Sequence, residues 1–313
     1  MIVRVNRAGL LTTVQDCGRW GYQSRGVSVA GPMDLYSHRL ANAIVGNDAN
    51  AATLEVTLTG PELVFADDRV VVVTGAEFEN VPSGIPFGVS PSRPLVFGSR
   101  KRGARAYVAI SGGIDVPLVL GSRATHLPSA MGGFEGRALK SGDDVRLGPA
   151  EAGHYGRTTT EHDRRLPHPS GIPLPVPIAT LRVLPGPQSE RFAADALDVL
   201  TSSVYRIEPN SNRVGYRLAG PRLGHADGAD IISDATPIGS LQVPASGEPI
   251  LLMADRQTTG GYAKIATVIS ADLASAGQLA PGDEIRFVVC SPEEALDALR
   301  MQARTIAAAE TTS

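Results

Sequence analysis

The stretch from Thr53 to Ile110 decides the fold class, because it consists of short apolar runs rich in β-branched and aromatic residues. The clearest run is Arg69-Val-Val-Val-Val-Thr74, which lies between Leu54-Glu-Val-Thr-Leu58 and Ala106-Tyr-Val-Ala-Ile110. Such residues favour extended backbone, and glycine and proline separate one run from the next. The pattern predicts a β-sandwich or β-barrel in this part of the chain.

The composition of the whole chain agrees with many turns and short strands. The sequence has 313 residues, 34 of them glycine and 23 proline, with 42% hydrophobic and 19% charged residues. A chain of this length can bury a large core and is expected to form about two domains. The formal net charge of -3 gives no reason to expect binding to nucleic acid or to an acidic membrane surface.

The same features predict a soluble cytoplasmic protein. Cys17 and Cys290 lie far apart in the sequence and fit no metal-ligand spacing, which favours a reduced intracellular protein and no metal site. The first residues read as a strand and lack the apolar region of a signal peptide. No apolar run approaches the ~18 residues that a membrane span needs.

A proline-rich stretch divides the chain into two β-rich lobes. We expect an N-terminal lobe over residues 1–150, a linker over residues 151–178, and a C-terminal lobe with a C-terminal helix over residues 179–313. A weak internal repeat suggests that the lobes are related, since Leu139-Lys-Ser-Gly-Asp-Asp-Val-Arg-Leu147 resembles Leu279-Ala-Pro-Gly-Asp-Glu-Ile-Arg-Phe287. The fold class is therefore mainly β with a few helices, in a duplicated arrangement.

Three helices carry N-terminal signals. Asp34 is placed to cap a helix through about Val45, and Ser189 is placed to cap one that ends near Leu200. Ser291-Pro-Glu-Glu294 has the pattern of a capping box at the start of a C-terminal amphipathic helix.

The main candidate site is Asp255-Arg-Gln-Thr-Thr-Gly-Gly-Tyr262, which follows an apolar run. Its polar side chains meet Gly260 and Gly261, where we expect the backbone to bend sharply and a ligand to approach main-chain N–H groups. The alternative, a polar surface loop with a Gly-Gly turn, is equally open on spacing alone.

Two further polar clusters are candidates for ligand contact. Gln15, Asp16, Arg19 and Tyr22 lie in a loop punctuated by glycines, and a salt-bridged structural loop is the alternative. The second cluster has two arginines that could bind a carboxylate or pair with acidic residues of the protein, and it consists of Asn212, Arg213, Tyr216 and Arg217. Gln242 is a weaker candidate.

Familiar nucleotide and nucleophile motifs are absent from the sequence. It has no Walker A loop, no Gly-x-Gly-x-x-Gly in a βαβ unit and no Gly-x-Ser-x-Gly elbow. None of the three lysines lies between methionines, so we expect no biotin on this chain.

Several motifs, taken together and in order, resemble the biotin-dependent carboxyltransferase family, also called the allophanate hydrolase subunit 2 family. They are Gly9-Leu-Leu-Thr-Thr-Val-Gln-Asp-x-Gly-Arg-x-Gly-Tyr22, Gly31-x-Met-Asp34, Leu58-Thr-Gly-Pro61, Gly133-Phe-Glu-Gly-Arg137, Leu184-Pro-Gly-Pro-Gln188, Asn212-Arg-x-Gly-Tyr-Arg-Leu218 and Asp255-Arg-Gln-Thr-Thr-Gly-Gly-Tyr262.

The resemblance implies cyclophilin-like β-barrel lobes and a role in a complex. The stand-alone bacterial members of the family include the C subunit of a 5-oxoprolinase, an enzyme complex that uses ATP to open 5-oxoproline to L-glutamate. The resemblance implies the B subunit of that enzyme as a direct partner and the A subunit as a further one, and it leaves the location of the ATP site open. Two alternatives remain, a carboxyltransferase component of a biotin-dependent urea carboxylase and a non-catalytic component with a regulatory or scaffold role.

Residue type and motif membership then suggest roles. We expect Gln257, Thr258 and the N–H groups of Gly260 and Gly261 to stabilise a developing oxyanion. Arg213 or Arg217 would hold a substrate carboxylate, and Asp16 or Asp255 would act as a base or orient one. The other expected substrate contacts are Gln15, Arg19, Tyr22, Asn212, Tyr216, Gln242 and Tyr262.

Overall fold

The computed structural model describes residues 1–150, 174 and 177–312, and most regular structure in them is strand. The described residues form two compact units. The first contains residues 1–19, 30–150 and 302–312, and the second contains residues 20–29 and 177–301. The predicted linker over residues 151–178 falls almost wholly outside the described residues, so the lobe boundaries stay a prediction.

The first unit contains two antiparallel sheets, helix α1 and the last part of a long C-terminal helix. One sheet has five strands in the order β2-β3-β8-β5-β6, and the other has four in the order β7-β4-β1-β9. The elements are β1 (Ile2–Arg7), β2 (Leu11–Gln15), α1 (Leu35–Val45), β3 (Thr53–Thr57), β4 (Glu62–Phe65), β5 (Arg69–Phe78), β6 (Phe87–Val89), β7 (Leu95–Val96), β8 (Arg100–Ile110) and β9 (Asp144–Arg146).

Strand β5 carries four valines in succession, and both faces of this part of the strand are buried. Val71 and Val73 join the core that also contains Val3 and Leu63 of the four-stranded sheet. On the opposite face, the core cluster is formed with residues of α1 and β8, and its buried members are Ala41, Val45, Val70, Val72, Tyr107 and Ala109. Alternate residues of a strand point to opposite faces, so a run of valines serves both cores. This confirms the predicted β-rich fold.

The helix predicted after Asp34 is confirmed. Helix α1 spans Leu35–Val45, and the Asp34 side chain accepts a hydrogen bond from the Ser37 backbone N–H at 2.8 Å. Gly46 ends the helix in the left-handed conformation, with φ of 78°. A glycine adopts this conformation without the strain of a side chain.

The second unit contains a closed seven-stranded barrel in the order β10-β17-β14-β15-β12-β11-β18, and a two-stranded sheet of β13 and β16. Its elements are β10 (Ile178–Pro185), α2 (Ala196–Ser202), β11 (Val204–Ile207), β12 (Gly215–Ala219), β13 (Asp230–Ala235), β14 (Ser240–Gln242), β15 (Ile250–Leu252), β16 (Thr259–Tyr262), β17 (Lys264–Val268), α3 (Leu273–Gly277), β18 (Glu284–Val289) and the start of α4 (Pro292–Thr312).

The barrel closes through one parallel pair, β10 with β18, in a continuous register from Ile178↔Glu284 to Val183↔Val289. Buried residues alternate with more exposed ones along β10, β11 and β18, as expected where one face of a strand points into a barrel. Examples that are fully buried are Leu181, Val183, Tyr205, Leu241, Leu251, Ile285 and Phe287.

Two helix predictions have different outcomes. The capping box at the start of α4 is confirmed, since Ser291 N–H donates to Glu294 Oε2 at 2.8 Å and Glu294 N–H donates to Ser291 Oγ at 3.2 Å. The helix predicted from Ser189 to Leu200 is wrong as one element. A single turn over Ser189–Arg191 ends at Phe192 in extended conformation, and α2 begins only at Ala196.

The internal repeat is matched by equivalent turns before β9 and β18. Asp143 accepts a hydrogen bond from Lys140 N–H at 2.7 Å, and Asp283 accepts one from Ala280 N–H at 2.8 Å. The glycine before each aspartate has nearly the same left-handed φ, 93° at Gly142 and 95° at Gly282. Shared turn geometry supports a common origin for the two segments.

Within the part of the chain that the structure describes, no helix has both the length and the hydropathy of a membrane span. The same residues contain no group of three or more His, Cys, Asp or Glu side chains arranged to hold a metal ion.

Candidate functional site

Four residues of the second unit contact one another in a ring, two of them in the barrel and two in the two-stranded sheet. Gln242 of β14 is the cross-strand partner of Lys264 of β17, and Asp234 of β13 is the cross-strand partner of Gly260 of β16. Lys264 Nζ lies 2.9 Å from Asp234 Oδ2. A Cβ atom on Gly260 would lie 2.5 Å from Gln242 Nε2. We call these four residues the polar ring.

The expected bend at Gly260 and Gly261 is not found. Both residues lie in β16, which pairs with β13, and neither has a positive φ. The prediction was wrong because β13 supplies a strand partner that the local sequence does not show. Gly260 instead leaves room for the Gln242 amide group, and an added Cβ atom would also come within 3.1 Å of Thr236 Cγ2.

Gln242 contributes a buried hydrogen-bond donor to the polar ring. Its side-chain Oε1 accepts from Gln257 Nε2 at 3.2 Å. Gln242 is only 2% exposed, and its Nε2 has no hydrogen-bond partner among the described residues. A buried donor without an acceptor is costly in free energy, so this amide group would gain from an acceptor on a ligand. Gln242 was the weakest sequence candidate and now lies at the centre of the site.

Lys264 and Asp234 form the charged part of the polar ring. The Lys264 side chain is 2% exposed, whereas the Asp234 side chain is 49% exposed. The hydrogen bond and charge of the Lys264 ammonium hold the pKa of Asp234 below its usual range. Gln188 supports both residues, because its Oε1 accepts from Lys264 N–H at 3.2 Å and its Nε2 lies 3.3 Å from Asp234 Oδ2.

Sequence reasoning missed Lys264 and Asp234. A signal was present, since Lys264 lies two residues after the glycine motif, inside the mainly apolar run Ala263-Lys-Ile-Ala-Thr-Val268. A lysine in a buried strand is rare unless it is paired.

Residues 255–258 are held to the polar ring through Thr236. The Thr236 N–H donates to the Thr258 carbonyl at 3.1 Å, and the Thr236 hydroxyl donates to the Gln257 carbonyl. The Gln257 side chain is exposed except for its bond to Gln242, and Thr258 is half-buried. Gln257 and Thr258, two of the residues expected to be catalytic, therefore lie beside the polar ring.

Asp255 and Arg213 form a buried ion pair instead of facing a ligand. The Arg213 Nε and Nη2 atoms each lie 2.9 Å from a different oxygen of the Asp255 carboxylate. Their side chains are 5% and 1% exposed. Pairing within the protein, the alternative for this cluster, is what the structure shows for Arg213.

The neighbours of Arg213 in the sequence also have local partners. Asn212 Oδ1 accepts from Val214 N–H at 2.8 Å, and Tyr216 is buried with its hydroxyl 3.2 Å from the Ala276 carbonyl oxygen. Arg217 is exposed on β12. Tyr262 ends β16 and is 41% exposed.

Gln15, Asp16 and Arg19 lie in the first unit, where all three hold residues 119–125. Gln15 Nε2 donates to the Thr125 carbonyl at 3.1 Å, and the Asp16 carboxylate accepts from Ser122 Oγ at 2.6 Å. Arg19 donates to the carbonyls of residues 119 and 124, at 3.0 and 2.8 Å. The motif fixes the path of this segment.

Tyr22, from the same sequence motif, lies in a segment that groups with the second unit. It is half-buried, and its carbonyl accepts from Arg25 N–H at 2.9 Å. Ser28 Oγ in this segment donates to the Arg256 carbonyl at 3.0 Å. Residues 20–29 are thereby attached to the main candidate stretch.

Comparison with known proteins identifies the family. The model of the carboxyltransferase domain, subdomain A and B, matches residues 25–289. The chain belongs to this family. It is 38% identical over 309 residues to the 5-oxoprolinase C subunit of Escherichia coli, covering 97% of this chain and 96% of that protein. It is 36% identical over 290 residues to the 5-oxoprolinase C subunit of Haemophilus influenzae, covering 90% of this chain and 89% of that protein.

Solved structures of the family share the fold. The K. lactis urea amidolyase aligns with a TM-score of 0.85 at 32% identity, covering 99% of this chain. The chain spans only 20% of the length of that protein. TTHA0988 aligns with a TM-score of 0.75 at 35% identity, covering 92% of this chain and 55% of its own length. With the seven-stranded barrel, these matches confirm the expected cyclophilin-like β architecture.

Proposed function

We propose that this protein is the C subunit of an ATP-dependent 5-oxoprolinase, which opens 5-oxoproline to L-glutamate together with its A and B subunits. The observation that carries the proposal is the match to the C subunit of Escherichia coli 5-oxoprolinase over 97% of this chain and 96% of that protein. The alignment thus covers nearly all of both sequences. The urea amidolyase match, in contrast, covers a fifth of a longer protein.

The polar ring supports this function because it can polarise a lactam carbonyl. Gln242 Nε2 is a buried donor without an acceptor among the described residues, and the Gln257 amide is adjacent to it. Donors fixed around a developing oxyanion lower the barrier to attack at the carbonyl carbon. We assign this role to Gln242 and Gln257, with Thr258 at the edge of the site.

Lys264 is suited to supply the proton that ring opening requires. When water adds to the carbonyl carbon and the C–N bond breaks, the ring nitrogen must gain a proton. The buried ammonium of Lys264, held by Asp234 at 2.9 Å, is a positioned acid for that transfer. Asp234 is half-exposed and so connects the buried ammonium with solvent. ATP is a substrate of the complex, and we assign its site to no residue of this chain.

Asp16 and Asp255 act in this proposal by positioning other groups. The carboxylate of Asp16 is occupied by Ser122 and by backbone N–H groups, and that of Asp255 by Arg213. Each carboxylate therefore orients the groups that it binds.

The second candidate is a carboxyltransferase component of a urea carboxylase, which the match to the Kluyveromyces lactis urea carboxylase favours at a TM-score of 0.85. One assay distinguishes the two. The chain is combined with its companion subunits, and ATP-dependent glutamate formation from 5-oxoproline is measured beside urea-dependent turnover with a biotinylated carrier.

We expect glutamate formation and no dependence on the carrier. Turnover of urea that requires the carrier, without glutamate formation, would establish the second candidate. If the substitutions Gln242→Ala and Gln257→Ala do not change the rate of glutamate formation, the result would support a scaffold role for this chain.

A further inference from the structure

Arg256 carries a guanidinium whose charge is not neutralised by the described part of the protein. Its Nε donates to the Thr236 carbonyl at 2.6 Å, and its Nη1 lies 3.5 Å from the Met253 carbonyl oxygen. Both acceptors are neutral, and Arg256 forms no ion pair with any of the described residues. The charge of Arg213, in contrast, is neutralised by its ion pair with Asp255. Of these two arginines, only Arg256 has donors and charge left for a ligand.

Partial burial of Arg256 destabilises its charged form, so that an anion bound beside it would be stabilising. Burial lowers the pKa of Arg256 to about 10, because the charged form has lost water without gaining an opposite charge. At neutral pH the group is still protonated. A partly desolvated cation of this kind is stabilised by a carboxylate, which a guanidinium binds through two parallel hydrogen bonds.

Arg256 is linked to the buried donor of the polar ring. Thr236 accepts from Arg256 and lies against Gly260, and Gly260 packs on Gln242 Nε2. Gln257, the next residue in the chain, binds Gln242 directly at 3.2 Å. The site thus offers a cationic donor on Arg256 and a neutral amide donor on Gln242. A ligand that fits has a carboxylate and a separate carbonyl oxygen.

We infer that Arg256 binds the carboxylate of the substrate, while Gln242 faces its amide carbonyl. The inference rests on the proposed function and narrows it to a small lactam or amide that carries a carboxylate. It transfers to Arg256 the role that the sequence suggested for Arg213 or Arg217. A neutral analogue of the same shape should bind weakly for lack of the anionic group.

The test compares two ligands that differ in charge. Dissociation constants of 5-oxoproline and of neutral 5-oxoprolinamide are measured by calorimetry on the reconstituted complex. In the wild type we expect 5-oxoproline to bind at least about tenfold more tightly than the amide, as a charged hydrogen bond requires. In Arg256→Gln the ratio should fall to within about twofold, and Arg256→Lys should retain part of it. Arg222→Gln is the control, since Arg222 is an arginine of the same unit with a 74% exposed side chain.

The ratio of the two constants does not depend on how much of a variant is folded. A thermal melt checks folding separately. An unchanged ratio in Arg256→Gln would overturn the inference and leave the proposed function intact, provided that the wild type forms glutamate. A wild type that neither forms glutamate nor binds 5-oxoproline would overturn both.

Discussion

Gly260 is the position where one added methyl group should disturb the candidate site most. Its missing side chain leaves space that Gln242 Nε2 occupies, 2.5 Å from where a Cβ atom would be. Atoms cannot approach so closely, so Gly260→Ala must displace the amide. We predict a loss of at least about tenfold in kcat/KM for 5-oxoproline in the reconstituted complex, because small displacements of catalytic groups are costly.

Gly261→Ala is the matched control for this substitution. The nearest atom to an added Cβ atom there is the Ile231 carbonyl oxygen at 3.6 Å, an ordinary contact. Steady-state kinetics give kcat/KM for both variants, and thermal melts check that both are folded. Equal losses in the two variants would contradict the assignment of the site to Gln242.

His38 should make the protein sensitive to mild acid. It is fully buried, its Nδ1 lies 2.9 Å from Thr53 Oγ1, and burial lowers its pKa to about 4. The unfolded chain, with an ordinary histidine pKa of about 6.5, binds the proton first as pH falls. The stability that depends on neutral His38 is therefore present above pH of about 6.5 and is lost progressively as pH falls toward 4.

The free energy of unfolding should drop by about 2 kcal/mol between pH 7 and pH 5 from this group alone. Urea denaturation at the two pH values measures the change. In His38→Asn, which keeps a polar group near Thr53, the drop should be smaller by about that amount. A variant with the same pH dependence as the wild type would show that other groups cause it.

Among the elements of the second unit, the ion pair between Arg213 and Asp255 holds the start of the candidate segment, residues 255–262, against the turn before β12. Asp255 N–H also donates to the Arg213 carbonyl at 2.8 Å, so backbone and side chains join the same two segments. Removal of one partner leaves a buried charge without compensation. We predict that Asp255→Asn lowers the free energy of unfolding by about 3–5 kcal/mol, measured by urea denaturation.

The control for Asp255→Asn is Asp144→Asn. Asp144 pairs with Arg4 at 2.7 Å, but their side chains are 38% and 57% exposed. Solvent screens such a pair, so its loss should matter far less. Comparable destabilisation in the two variants would contradict a special role for the buried pair.

The sequence predicts elements well where local signals and burial agree. The valines of β5, the cap at Asp34 and the capping box at Ser291 were all recognisable, because each depends on neighbours in the chain. The strand at Gly260 was not, since it forms only by pairing with β13, whose residues are mostly exposed and show no apolar alternation.

The candidate site was predictable in part for the same physical reason. The glycine motif located it, but its residues are completed by Asp234, Lys264 and Thr236 from other parts of the chain. Arg213 and Asp255 were recognised as residues of interest, yet only distances show that each satisfies the other. Composition cannot tell a free arginine from a paired one.

At the scale of the whole molecule, the central claim is that the polar ring of this chain takes part in the chemistry of a 5-oxoprolinase complex. Lys264 tests it best, because its buried ammonium has no structural partner other than Asp234 in the described part of the chain. Methionine has a similar length and no proton to give. Lys140, which is exposed, provides the control.

The decisive measurement is ATP-dependent glutamate release from 5-oxoproline by complexes that contain wild type, Lys264→Met or Lys140→Met, with complex assembly checked by gel filtration. We predict a loss of about 100-fold or more in kcat for Lys264→Met, in line with removal of a general acid, and no change for Lys140→Met. A Lys264→Met complex that assembles and releases glutamate at the wild-type rate would contradict the central claim.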